Sequence, residues 1–127
     1  MSKRTSPADE RGMSSSVQMT LMFPLVLGVL LATLQWAMIS WADATALAAA
    51  QDGARTAAAQ HASAEAGRNT ATTATNNGSL TDVTITINRA PTQTAATVTG
   101  TALSIIPGYQ PSITKTAHAP TERITTS

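Results

Sequence analysis

The chain has 127 residues, so it holds one small domain at most. Eight bases against seven acids leave a net charge of +1, and aromatics make up 3%, which excludes a basic nucleic-acid face and a ring-anchored core. Cysteine is absent, which removes disulfides, thiolate metal sites and a Cys nucleophile and leaves the compartment open.

A charged tail carrying Lys3, Arg4 and Arg11 ends at Gly12. From Met13 to Ala42 no residue is charged, and within that window residues 21–41 read LMFPLVLGVLLATLQWAMISW. At about 1.5 Å per residue this run is long enough for a hydrocarbon core about 30 Å thick. Trp36 and Trp41 stand near its C-terminal end, where indoles favour the membrane–water interface. The next base is Arg55, so the Lys/Arg asymmetry predicts a cytoplasmic N-terminus and an extracytoplasmic C-terminal part. A cleaved signal competes with this reading: the start is basic and Ala42-Asp43-Ala44 is an A-x-A match. The apolar stretch, however, exceeds the about 7–15 residues of a signal core.

After Trp41 the sequence is alanine-rich as far as Asn69, and alanine is the best helix former. One continuous helix from about Ser16 to Arg68 is predicted, on the order of 80 Å long, with Gly67 or Asn69 as its cap. Its outer half is either a flexible stalk or a spine that packs on a small sheet or on neighbouring helices. Residues 70–78 read as a turn or linker with Asn77-Gly78 as its signal. Residues 80–88 alternate, with Val83, Ile85 and Ile87 on one face and Asp82, Thr84 and Thr86 on the other, which predicts a half-buried strand. Residues 94–106 give a second extended segment with Gly100 as a candidate bulge, Pro107-Gly108 turns the chain, and residues 112–118 form a third strand. Three short strands with few large side chains need the helix against their apolar face.

The chemistry of a catalytic site is missing. His61 and His118 are far apart with no cysteine or clustered carboxylate beside them, so no metal is expected. No nucleophile motif and no phosphate-cradling loop appears, so no enzyme, no cofactor and no small-molecule substrate are expected. Asn77-Gly78-Ser79 matches a glycosylation sequon, a pattern common by chance.

The order of these features resembles the TadE-like family of tight-adherence pilus assembly proteins, in its actinobacterial form. The residues that carry the resemblance are Arg11-Gly12, Val17-Gln18 and the apolar stretch ending in Pro24. An A-x-x-G-A-R-x-A-A element follows at Ala50-Gln51-Asp52-Gly53-Ala54-Arg55-Thr56-Ala57-Ala58. The tail adds Val98-Thr99-Gly100, Ile106-Pro107-Gly108 and Ala119-Pro120-Thr121-Glu122-Arg123, so the likeness covers residues 11–124.

The resemblance implies a minor pilin-like or pseudopilin-like component whose partners are the lipid bilayer and other pilus or secretion subunits, with no nucleic acid involved. It implies prepilin-type processing between Gly12 and Met13, and intramembrane assembly contacts at Gln18 and Pro24. Two departures stand out. Gln18 replaces the family's acid and leaves only hydrogen bonding, and Gly12 lies six residues before Gln18 where the processing site puts five. Pro24 removes the bond to Thr20's carbonyl and predicts a kink.

The expected fold is an α+β membrane protein: a long N-terminal transmembrane helix, extended outside the membrane and packed on a small antiparallel three-stranded sheet, as in pilins. Residues 1–12 are the cytoplasmic tail, 13–41 the membrane helix, 42–69 the extracytoplasmic alanine-rich helix and 70–127 the β module. Two alternatives stay open. One is a bitopic anchor presenting a Thr-rich β module. The other is a secreted β protein released by cleavage near Ala44.

Overall fold

The computed structural model describes residues 7–59 and 61–122, with side chains from residue 16 onward. Helix α1 runs Pro7–Ala58, 52 residues, and α2 runs Ala64–Ala74. Strands β1 (Leu80–Arg89), β2 (Gln93–Ala102) and β3 (Ser112–Pro120) form one antiparallel sheet in the order β1-β2-β3. The expected arrangement of a long apolar N-terminal helix and a small three-stranded antiparallel sheet is therefore the observed one. The chain divides into two units, one reaching Leu34 and one starting at Gln35.

The helix is not continuous to Arg68. It stops at Ala58, where Arg89 Nε donates to the carbonyl of Ala57 (2.7 Å) and the Glu122 amide donates to that of Ala58 (2.8 Å). These donors satisfy two of the last carbonyls, and the Arg89 cation complements the helix dipole. His61 then takes a left-handed φ of 65° and the chain turns. Ser63 caps α2 by accepting the Ala66 amide at 3.2 Å, with Glu65 in the first turn. Gly67 is no cap: it lies inside α2, buried. A Cβ there would stand 2.5 Å from the Gly53 carbonyl oxygen and 2.6 Å from Ala57 Cβ. The missing side chains of Gly53 and Gly67 are what let α2 lie against α1. The segment expected as a linker at 70–78 is accordingly helical to Ala74, and only its end turns, with Gly78 at φ 82°.

From Gln35 onward α1 buries one stripe: Gln35, Ala42, Ala46, Ala49, Ala50, Gly53 and Ala57, the spacing of one helix face. Against it lie Leu80, Ile87, Ala96, Val98, Ala102, Ile113, Ala117 and Ala119 from the sheet. Val98 is the largest fully buried side chain, so a core this poor in bulk closes only because alanine lets helix and sheet approach closely. Ile85 and Ile87 face inward as the alternation predicts, whereas Asp82 sits in a bulge at φ 52° where the β1–β2 register shifts between Thr81 and Thr84. The bulge is thus on β1 and not at Gly100. Gly100 instead makes room for it, since a Cβ there would meet Leu80 Cδ2 at 3.2 Å and the Thr81 carbonyl at 3.3 Å.

Candidate functional site

Described by itself, the N-terminal unit is a helix whose side chains from residue 16 to Leu34 are all exposed. Leu21 is 70% and Phe23 69% exposed, and the apolar window of the helix Ser16–Ala58 has a mean hydropathy of 2.0 with none of it buried. In water such a helix would need a partner for every face, so it is long and apolar enough to cross a membrane.

Gln18 is exposed among Met19, Met22, Phe23 and Val26, and Pro24 borders Ser16, Met19, Thr20 and Phe23. Pro24 lies inside α1, which continues on both sides of it, and Thr20 Oγ1 donates to the Ser16 carbonyl one turn earlier (2.9 Å). Gly12 and Met13 belong to α1 by their backbone, while their side chains lie outside the described residues, as do Arg123 and Ile124 entirely.

A second glutamine in the apolar run, Gln35, is the one the fold engages, a residue that no sequence motif marks. Its side chain is 4% exposed. Nε2 donates to the Leu103 carbonyl (3.1 Å), and Oε1 accepts the Ile105 amide (2.9 Å) and lies 3.2 Å from Ser104 Oγ. One primary amide thus ties the loop after β2 to the helix. A sequence signal exists: an amide seven residues before the end of an uncharged run is costly in lipid and needs a partner.

Further along, Asp43 on α1 pairs with Lys115 on β3 (3.0 Å), their side chains 44% and 34% exposed. Solvent screening limits such a pair to about 0–1 kcal/mol. Asp43→Ala is therefore expected to lower the thermal midpoint of the full chain in detergent by no more than a few degrees, less still at high salt; a large drop would show that the ion pair holds the sheet. The Asn77 side chain is spoken for locally: Nδ2 donates to Thr45 Oγ1 (2.9 Å), and Oδ1 accepts from the Ser79 amide (3.0 Å) and hydroxyl (2.6 Å). The Asn-Gly-Ser triplet is explained by this Asx-type turn, which joins the sheet to α1.

The outward sheet face consists of hydroxyl rows, Thr84–Thr99–Thr114 and Thr86–Thr97–Thr116, with Thr97 and Thr116 hydrogen bonded at 3.0 Å. His118 is exposed on the same face and His61 is exposed between the helices. Among the described residues no group of three or more His, Cys, Asp or Glu side chains gathers.

A long, largely apolar N-terminal helix whose stretch from Gln35 onward backs a three-stranded antiparallel sheet with alanines defines an α+β arrangement. The family model described as TadE-like protein matches residues 13–55 of the chain, the family that the sequence resembles. That match covers the apolar run and α1 through Arg55, and stops short of α2 and the sheet. Neither a search of curated proteins nor one of solved structures returned a significant match.

Proposed function

We propose that the chain is a non-enzymatic, single-pass membrane component of a tight-adherence pilus or secretion assembly, minor pilin-like or pseudopilin-like in role. The observation that carries this reading is the TadE-like match over residues 13–55, which falls on the unburied apolar helix and the helical spine. Tight-adherence pilus assembly is the setting that family implies. The Lys/Arg asymmetry supports a cytoplasmic N-terminus and an extracytoplasmic sheet.

In this role Gln18 and Pro24 act inside the membrane. Gln18 offers amide hydrogen bonds to a neighbouring subunit's helix, where a polar group in lipid gains from any partner. Pro24 leaves the Thr20 carbonyl without its helical donor and gives the helix a point of bending. Gly12 and Met13 mark the processing site. Protein partners are the neighbouring subunits, and the bilayer holds the chain among them.

A secreted module released near Ala44 is disfavoured by the packing. Cleavage there would remove Gln35, Ala42 and Asp43, which hold the β2–β3 loop, the sheet core and Lys115. The test is deletion of the chain in its native host. Loss of thin surface pili, restored by the intact chain and not by a Gln18→Leu, Pro24→Ala double variant that still reaches the membrane, is the expected result. Unchanged piliation on deletion would refute the assembly role and leave a surface anchor.

A further inference from the structure

We propose that the β2–β3 loop, residues 103–111, is a membrane-contacting foot that inserts Ile105, Ile106 and Tyr109 into the outer interface of the bilayer the chain spans, an inference that rests on the spanning reading above. The first support is position. Gln35 lies six residues before Trp41, about 9 Å along the helix from the end of the apolar run. The loop is bonded to Gln35 through both the Leu103 carbonyl and the Ile105 amide, so it sits at that residue's level and not above it.

The second support is composition. Residues 103–111 carry no charge, and Ile105, Ile106 and Tyr109 are 41%, 45% and 44% exposed, on the same unit as Trp36 at 70% and Trp41 at 47%. Indole and phenol rings favour the membrane–water interface. Exposed aliphatic side chains beside them extend an apolar surface that water would penalise and lipid would not.

The third support is the backbone. Irregular chain near hydrocarbon needs its amides satisfied from within. The Ile105 amide donates to Gln35, the Ile106 amide to Ser104 Oγ (3.1 Å) and the Tyr109 amide to the Ile106 carbonyl (3.1 Å), while Ala102 donates to the Pro111 carbonyl (2.9 Å). Pro107 and Pro111 have no N–H to satisfy. Gln35 therefore solves two problems together: the loop covers an amide stranded in the apolar run, and the amide covers a loop pressed towards lipid.

The absence of cysteine makes the test direct. Single-cysteine full-length chains, Ile106→Cys, Leu30→Cys and Thr86→Cys, are labelled with an environment-sensitive fluorophore and reconstituted in phosphatidylcholine/phosphatidylglycerol vesicles containing spin-labelled quencher lipids. Leu30 is exposed in the middle of the run and Thr86 on the outward sheet face. Blue-shifted emission and lipid quenching are expected at positions 106 and 30, and neither at 86. Quenching at 30 with a solvent-like signal at 106 would overturn the foot and leave the spanning helix standing. A blue shift at 106 without lipid quenching would also overturn it, indicating a protein neighbour. No quenching at 30 would sink the spanning reading and the foot with it.

Discussion

Gly67→Val is expected to release α2 from α1 and β1 and to raise amide exchange across Ala64–Ala74 by about a hundredfold, while α1 up to Leu34 is unaffected. A bare Cβ at this position would already overlap the Gly53 carbonyl at 2.5 Å and Ala57 Cβ at 2.6 Å, and valine adds two methyl groups to that clash. The obstructing atoms are backbone and the shortest of side chains, so nothing can swing away. Overpacking of this kind costs about 3 kcal/mol, which corresponds to about two decades in an opening equilibrium. The control is Gly28→Ala, where the added methyl meets nothing within 4 Å. Hydrogen exchange of the full chain in micelles distinguishes the two. Protection of α2 in Gly67→Val equal to that in Gly28→Ala would mean that the two helices do not depend on this contact.

The second large effect is expected at Gln35→Leu. Leucine fills similar volume but leaves the Ile105 amide and the Leu103 carbonyl without the partner they now have. Each such orphaned group costs about 1–3 kcal/mol when buried. The opening is confined to the loop, because the sheet ladder from Gln93 to Thr101 has its own pairing with β3. Exchange at Ile105 should rise by one to two decades, roughly as that cost predicts, with the strands unchanged. Gln18→Leu should leave exchange from Gln35 onward unchanged, since Gln18 belongs to the other unit and is exposed. If Gln35→Leu left Ile105 protected, the glutamine would be a passenger and the membrane-level placement of the loop would lose its main support.

The two glutamines show what could be read from the chain and what could not. The apolar run, the alternating strand around Ile85 and Ile87, and the need of the sheet for a helix all followed from periodicity and composition, because those patterns report which faces are buried. Gln18 stands out in the chain as a polar residue in an apolar run and as the counterpart of the family's acid. Gln35 bonds across a sequence separation of 68 to 70 residues, and a linear reading has no signal for the partner.

The same limit applied to the helix break. Alanine favours helix on both sides of residues 59–63, so propensity could not locate the reversal. The stop is set by tertiary donors from Arg89 and Glu122 and by the Gly53–Gly67 approach. Ser63 caps α2 and Glu65 follows in its first turn, but a serine inside an alanine tract signals a cap only weakly without the contact that selects it. Gly100 signals an irregularity in the sequence, but only the register assigns the bulge to its neighbour strand.

In the proposed role a single helix carries the chain through the membrane and then backs the sheet outside. The measurement that tests this most directly is the intact mass and first residue of the chain recovered from membranes of its native host. A chain beginning at Met13, or an uncut one beginning at Met1 or Ser2, keeps Gln35, Ala42 and Asp43 joined to the sheet, and one of these is the expected result. Met13 would add processing of the pilin kind. A chain beginning near Thr45 would contradict the spanning role, because the helix would then be a discarded signal and the sheet would have to fold without it.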